Sequence, residues 1–273
     1  MSIPLTGSLV LVGAGKMGGA MLEGWIRSGV DPAKIAIIDP APPPQIEKLI
    51  QDKKLRFNTD PGKLRDCEIV VIAVKPQSAG EAMPQIAALK SSRPLVLSVV
   101  AGKRIAFFET YFGADAAIVR SMPNTPAAVG RGITAISPNR HVSAAQKSLA
   151  EALLSAVGEV VTVSKEAHLD AVTAISGSGP AYVFYLTECM AEAGKKLGLS
   201  EELATRLARA TVAGSGELMM RSGLPAATLR QNVTSPKGTT HAALQVLMRQ
   251  NGMMALLEEA LREAEKRSRE LAG

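Results

Sequence analysis

The sequence is poor in the residues that build disulfide frameworks, metal centres and nucleic-acid surfaces. It has two cysteines, three histidines and 3% aromatic residues in a chain of 273. The cysteines are far apart and lack metal-ligand spacing, so they fit small core roles in a reducing compartment. Apolar runs are the length of strands and do not approach the roughly 18 residues of a membrane span. We therefore expect a cytoplasmic protein that has no secretory signal, no metal site and no membrane-spanning segment.

The net charge says less about binding partners than the residue composition does. The formal net charge is +6, but the basic residues are dispersed along the chain. Dispersed cations with few aromatic residues are typical of solvated helix faces and argue against nucleic-acid binding. A basic surface can also steer an anionic cofactor or a carboxylate substrate.

The most informative segment is residues 9–20, LVLVGAGKMGGA. An apolar strand leads directly into Gly13-x-Gly15-x-x-Gly18, and a helix follows. In such a loop the first glycine permits a tight turn, and the second allows the backbone to approach a pyrophosphate. The third allows the helix to pack close to the strand. The sequence context favours dinucleotide binding over an ordinary glycine-rich turn, and Lys16 and Met17 fall inside the same loop.

Strand and helix patterns alternate through the first part of the chain. The predicted strands cover residues 9–12, 35–38, 69–74, 95–100, 117–121, 133–137 and 160–163, and most are continuous apolar runs. Such runs are typical of strands covered on both faces. After Lys165 the strand patterns stop and long helical patterns follow. We expect an α/β fold, with a Rossmann dinucleotide-binding domain at 1–164 and an all-helical dimerisation and substrate domain at 165–273.

The helical part has little core of its own. A segment such as residues 181–197 is apolar around much of its circumference, so it must be buried on more than one side. This predicts that the domain packs against a second copy, giving at least a homodimer.

Asp39 ends the second strand, 21 residues after Gly18. A carboxylate at this place binds the 2′-hydroxyl of the adenosine ribose and repels a 2′-phosphate, which favours NAD(H). No Lys or Arg lies between Pro40 and Gln45 to hold such a phosphate. Alternatively, Asp39 only begins the Asp-Pro turn.

Other polar or small-residue loops follow the next strands. Ligands in this fold bind at the carboxyl ends of the strands. AVKPQ at 73–77 places Lys75 at that edge, VVAG at 99–102 allows close approach of a nicotinamide, and MPNTP at 122–126 is fixed by two prolines. Two motifs in the helical half, SGSGPAY at 176–182 and the hydroxyl-rich NVTSPKGTT at 232–240, fit carboxylate binding at a helix start or plain helix capping.

With these motifs the chain closely resembles the pyrroline-5-carboxylate reductase family over essentially its full length. GAGKMG, AVKPQ, VVAG and MPNTP agree, and SGSGPAY and VTSPKGTT are specific to that family. The resemblance implies hydride transfer from NADPH or NADH to the cyclic imine of pyrroline-5-carboxylate, giving L-proline in the last step of proline biosynthesis.

The resemblance also implies roles for individual residues. The cofactor would be bound by Gly13, Gly15, Lys16, Met17, Gly18, Asp39, Ala73, Val74, Lys75, Pro76, Val100, Ala101, Gly102 and Asn232. The substrate would be contacted by Glu166, Ser176, Gly177, Thr239 and Thr240, with Thr240 as the catalytic residue nearest the ring nitrogen or carboxylate. Lys237 departs from the family, which has a small residue there, and Asp39 is at odds with the NADPH preference common in the family.

The chemistry is consistent with an imine substrate. Ketone reduction generates an alkoxide and needs a strong proton donor. The similar β-hydroxy acid dehydrogenases carry a catalytic lysine after a glycine-rich break, whereas here no lysine occurs between Lys165 and Lys195 and Tyr185 falls near that place. An imine can be protonated before reduction, so hydroxyls, backbone amides and one carboxylate suffice. Two other readings stay open: a reductase of another cyclic imine or small keto acid, and a non-catalytic dinucleotide sensor.

Overall fold

The computed structural model describes residue 3 and residues 5–272. Two compact units divide the chain. The first contains the residues up to Gly177 together with those from Ala264 onward, and the second contains Ser178–Glu263. The domain boundary between residues 164 and 165 stays a prediction.

The first unit contains a single large sheet. Its strands are β1 (Ser8–Val12), β2 (Ile35–Ile38), β3 (Arg56–Phe57), β4 (Cys67–Ile72), β5 (Leu95–Ser98), β6 (Ile118–Met122), β7 (Gly132–Pro138) and β8 (Gly158–Thr162). They lie in the order β3-β2-β1-β4-β5-β6-β7-β8. All neighbouring pairs are parallel except β6 and β7. This doubly wound order confirms the predicted Rossmann fold class.

Helices cover both faces of the sheet. They are α1 (Lys16–Arg27), α2 (Pro44–Lys53), α3 (Ala79–Ile86), α4 (Ile105–Phe112), α5 (Ala144–Ser155) and α6 (His168–Val172). Because side chains alternate along a strand, Leu9 and Leu11 of β1 join one buried cluster, while Val10 and Val12 join the other. The indole Nε1 of Trp25 donates to the Leu153 carbonyl at 2.9 Å, which joins α1 to α5.

Several local features differ from the sequence prediction. The two-residue strand β3 was not expected, because two residues are too few to show a period. The antiparallel direction of β7 was not expected either, since an apolar run does not encode direction. The helix predicted at 166–176 is the short α6 followed by a π-helical turn, Thr173–Gly177. π-Helical turns inside α-helices are rare and occur often at functional sites.

The two cysteines have different surroundings. Cys67 is buried at the start of β4, and burial raises the pKa of its thiol to about 12, so it is an inert core residue. Cys189 is exposed in the single chain, which differs from the expected core role.

The second unit is helical. Its helices are α7 (Gly179–Lys196), α8 (Glu201–Ser222), α9 (Ala226–Asn232), α10 (Thr239–Leu247) and the first part of α11 (Met253–Ala272). Ser200 caps α8 as the sequence predicts, because its hydroxyl accepts from the Leu203 N–H at 3.3 Å. α7 packs on α8 where Gly194 has no side chain, and an added Cβ there would lie 3.2 Å from the Ala204 Cβ.

This helical unit buries few apolar side chains within one chain. Ala204 and Ala208 are the apolar residues that the described part of the unit buries. Large apolar side chains are exposed on most of its helices, among them Phe184, Leu207, Met220, Val246 and Leu256. An exposed apolar surface of this kind marks an interaction surface. No helix within the described residues is long and apolar enough to cross a bilayer.

Candidate active site

The glycine loop connects β1 to α1, and each glycine is required for a different reason. Gly13 has a φ of +88°, a conformation that side chains disfavour. A Cβ on Gly15 would meet nothing within 4 Å, so open space lies in front of its backbone. A Cβ on Gly18 would collide with the Gly13 carbonyl oxygen. Gly13 and Gly18 thus have the steric roles that the sequence assigns to them, and the approach of a pyrophosphate to Gly15 stays a prediction.

Lys16 and Met17 occupy the first two positions of α1, with Lys16 exposed and Met17 half-buried. Gly15 is the N-cap, and no side chain caps the helix start. The first N–H groups of the helix are therefore available to an anion, at the positive end of the helix dipole.

Asp39 lies beside this loop. Its Oδ2 accepts from the Ala14 N–H at 2.6 Å, and its Oδ1 accepts from the Ala41 N–H at 2.8 Å. Asn58 fixes the Asp39 backbone through two hydrogen bonds of 2.9 Å. Asp39 thus begins the turn and also contacts the glycine loop. Its binding to the ribose 2′-hydroxyl stays a prediction.

The end of β4 packs against the same loop. An added Cβ on Gly13 would lie 2.9 Å from the Ala73 carbonyl oxygen and 3.0 Å from Val74 Cγ1. The Ala73 N–H donates to the Val12 carbonyl at 2.8 Å. Lys75 is exposed, and Pro76 begins the 3₁₀ turn Pro76–Ser78. The structure therefore brings the glycine loop, Asp39, Ala73 and Val74 together at the carboxyl edge of the sheet.

The loop after β5 has a buried and an accessible part. Val100 is buried in a core cluster, whereas Ala101 is partly exposed. Gly102 has a φ of +74°, and an added Cβ would lie 3.1 Å from the Leu271 carbonyl oxygen. The last turn of α11 thus packs against this loop.

Glu166 lies just before α6, and its carboxylate has partners in the first unit. Oε1 accepts from the Ile105 N–H at 2.9 Å and from Arg120 Nη1 at 3.1 Å. The Arg120 side chain is 4% exposed, and its Nη2 lies 4.0 Å from the Asp170 Oδ1. Arg120 precedes the MPNTP loop, but the sequence gives it no role of its own in the site. The available signal was a charged residue within the apolar strand IVRSM, which requires a buried partner.

Ser176 and Gly177 lie in the π-helical turn. The Ser176 hydroxyl donates to the Val172 carbonyl at 3.0 Å, so it satisfies the helix backbone. An added Cβ on Gly177 would lie 2.6 Å from Met122 Cε. This close approach places the turn against the end of β6.

Asn232, Thr239 and Thr240 belong to the second unit. Asn232 is the last residue of α9, and both threonines open α10, where Thr239 is exposed and Thr240 is half-buried. Gly238 is the N-cap, and α10 has no side-chain cap. Lys237 has a φ of +62°, which glycine adopts without strain and which explains why a small residue suits this position.

The first unit fits a dinucleotide. The open space before Gly15, the uncapped start of α1 and the Asp39 carboxylate match the pyrophosphate and ribose positions of a nicotinamide dinucleotide. The described residues hold no group of three or more His, Cys, Asp or Glu side chains that could bind a metal ion.

The sheet and glycine loop together define an oxidoreductase of the Rossmann type. Residues 8–102 match the family model "NADP oxidoreductase coenzyme F420-dependent", and residues 166–271 match "Pyrroline-5-carboxylate reductase dimerisation". A pyrroline-5-carboxylate reductase of Pseudomonas aeruginosa is 40% identical over 268 residues, which cover 98% of this chain and 97% of the relative. This chain belongs to the pyrroline-5-carboxylate reductase family.

Solved structures agree. The pyrroline-5-carboxylate reductase of Coxiella burnetii has a TM-score of 0.91 and 34% identity, covering 98% of this chain and all of that one. The pyrroline carboxylate reductase of Plasmodium falciparum, solved with NADP bound, has a TM-score of 0.82 and 31% identity, with coverages of 98% and 99%.

Two glycine substitutions should separate binding from folding. In Gly15→Ala the added Cβ enters only the open space, so we expect an unchanged melting temperature and a Kd for NAD(P)H raised about tenfold. In Gly18→Ala the Cβ collides with the Gly13 carbonyl, so we expect a loss of about 1–3 kcal/mol in the free energy of unfolding. Fluorescence titration and thermal denaturation measure the two effects. Wild-type cofactor affinity in Gly15→Ala would contradict the pyrophosphate assignment.

Proposed function

We propose that this protein reduces L-1-pyrroline-5-carboxylate to L-proline with NADH or NADPH, as the last step of proline biosynthesis. Membership of the family, at 40% identity over nearly the whole chain, is the observation that carries the proposal. The glycine loop supports it independently, since its geometry is the one that a dinucleotide needs.

The residues divide into two groups by role. We assign cofactor binding to the glycine loop, Asp39 and the loops after β4 and β5. A cofactor contact by Asn232 stays a prediction from the family resemblance. NAD(P)H supplies the hydride when it is bound. Positioning of two reactants can supply about 7–11 kcal/mol of a barrier, which suits a site of small residues and backbone amides.

Substrate binding is assigned to the start of α10. The free N–H groups of its first turn favour a carboxylate, and the Thr239 and Thr240 hydroxyls add donors. Thr240 is our candidate catalytic residue, because its hydroxyl can hydrogen-bond the ring nitrogen and orient the imine. Substrate contacts by Glu166, Ser176 and Gly177 of the first unit stay predictions from the family resemblance.

A steady-state assay with pyrroline-5-carboxylate and each reduced cofactor tests the activity. Thr240→Ala should lower kcat/KM about 100-fold, the usual cost of one donor to a reacting group, while Thr240→Ser should retain most activity. Turnover of another cyclic imine or a 2-keto acid in place of pyrroline-5-carboxylate would identify a different reductase. NAD(P)H binding without any turnover would indicate a sensor.

Cofactor preference depends on Asp39. Its carboxylate is fixed by two backbone N–H groups, and no cationic residue lies between Pro40 and Gln45 to hold a 2′-phosphate. These features favour NADH, although a relative has been solved with NADP bound.

Asp39→Asn should raise the ratio of kcat/KM for NADPH to that for NADH about five- to tenfold. The substitution removes the negative charge that repels the 2′-phosphate and keeps one acceptor oxygen for the Ala41 N–H of the turn, while the bond from the Ala14 N–H is lost. Steady-state assays with both cofactors measure the ratio. Glu47→Gln, which removes an exposed carboxylate in α2, is the control for a general charge effect. An unchanged ratio of the two kcat/KM values in Asp39→Asn would contradict the assignment of Asp39 to cofactor binding.

We also propose a homo-oligomer, at least a dimer, working in the cytoplasm. The exposed apolar side chains of the helical unit and the match of residues 166–271 to a dimerisation family support the oligomer. Two free cysteines fit a reducing compartment.

Analytical ultracentrifugation should show a stable dimer or larger assembly at micromolar concentration. Leu207→Glu, on an exposed apolar position of α8, should dissociate it, because a buried unpaired carboxylate is costly. Arg206→Glu, one residue earlier and exposed, is the matched control. A wild-type monomer at micromolar concentration would rule the assembly out.

A further inference from the structure

Arg120 is a buried cation within the sheet of the first unit. It lies on β6, opposite Ser98 of β5 and Ser137 of β7. With 4% of its side chain exposed, its guanidinium has lost almost all contact with water. A buried charge is tolerated only when charged or polar groups compensate it, so the groups around Arg120 decide its role.

Two carboxylates lie near this cation, and a hydroxyl contacts one of them. Glu166 Oε1 lies 3.1 Å from Nη1, and Asp170 Oδ1 lies 4.0 Å from Nη2. The Asp170 side chain is 3% exposed, and its Oδ1 also accepts from the Ser268 hydroxyl at 2.8 Å. Ser268 lies on the last part of α11. The cluster therefore joins β6, the start of α6 and the end of α11 inside one unit.

The same cluster holds the loop after β5. Glu166 Oε1 accepts from the Ile105 N–H, the first residue of α4, at 2.9 Å. On the other side of the loop, Gly102 packs against the backbone of Leu271, one turn beyond Ser268. The segment from Val100 to Arg104 is thus held by Glu166 at its end and packs against α11 at Gly102. Glu166 contacts Arg120 directly, and α11 is linked to Arg120 through Ser268 and Asp170.

We propose that Arg120 is a positioning residue for the reductase. By holding Glu166, and through Asp170 the Ser268 end of α11, it fixes the loop after β5 in the shape that accepts the nicotinamide end of the cofactor. This inference rests on the proposed function. It gives Glu166 a role that acts through the Ile105 N–H, in addition to the substrate contact implied by the family.

The test compares Arg120→Met with Arg120→Lys, and Ser268→Ala with Ser268→Thr. Arg269→Met is the matched control, because Arg269 adjoins Ser268 and forms an exposed pair with Glu265. The Kd of the reduced cofactor is measured by fluorescence titration without substrate. The kinetic readouts are kcat, both KM values and the deuterium isotope effect on kcat with 4-deuterated cofactor.

In Arg120→Met we expect the cofactor Kd to rise about tenfold and kcat to fall as much as about 100-fold, because small misplacements near reacting atoms have effects of that size. The isotope effect should increase, since hydride transfer becomes slower relative to other steps. Arg120→Lys should recover part of the loss by restoring the charge. Ser268→Ala should show the same changes more weakly, Ser268→Thr should resemble the wild type, and Arg269→Met should equal it.

A folded Arg120→Met protein with wild-type cofactor affinity and isotope effect would overturn the inference. So would a rise in the KM for the imine alone, since that result assigns the cluster to substrate binding. If Arg120→Met does not fold, the serine pair decides: equal cofactor affinity in Ser268→Ala and Ser268→Thr overturns the proposal. If the wild-type protein binds NAD(P)H but does not reduce the imine, the proposed function is wrong. The cofactor Kd values of the variants would still test the role of Arg120.

Discussion

The close approach of α1 to β1 is the constraint on which the rest of the structure depends. The helix can start this near the strand only because Gly18 lies against the Gly13 carbonyl without a side chain between them. This contact places the start of α1 at the carboxyl edge of the sheet. The same geometry brings Ala73 against Gly13, and it leaves the Ala14 N–H free to bind Asp39. One steric requirement thus organises three strand ends into a binding site.

The sequence predicts this part well because its determinants are local. The glycine spacing, the apolar strand before it and Asp39 at the end of β2 all lie within the first 39 residues, and fixed spacings encode their roles. The seven predicted strands are found, and most of them for the same reason, since strands buried on both faces are continuous apolar runs. β8 is the exception, because it is largely exposed in the single chain. Boundaries shift by a few residues where such a run continues into a loop, as at Ala73 and Val74.

Other features depend on contacts between distant residues, so no local pattern reveals them. Glu166 contacts Arg120, 46 positions away, and Asp170 contacts Ser268, 98 positions away. The sequence marks Arg120 only as a charge in an apolar strand and does not name its partners. The π-helical turn at Thr173–Gly177 likewise packs on a distant residue, since Gly177 lies against the Met122 side chain, 55 positions away. Helix periodicity alone predicted a continuous helix there.

The buried ionic cluster explains how a loop of small residues can hold a defined shape. Val100, Ala101 and Gly102 offer few side-chain atoms to fix the loop. Gly102 also has a positive φ in the fold, and as a glycine it has wide backbone freedom in the unfolded chain. A buried ion pair is seldom more stabilising than an apolar replacement of the same volume, so its value lies in geometry. The buried guanidinium of Arg120 requires both carboxylates nearby, so it limits the positions that Glu166 and Asp170 can adopt. Glu166 in turn positions the Ile105 N–H. In the role we propose for Arg120, the small residues of this loop leave room for the cofactor, and the buried cluster on its other side supplies the order.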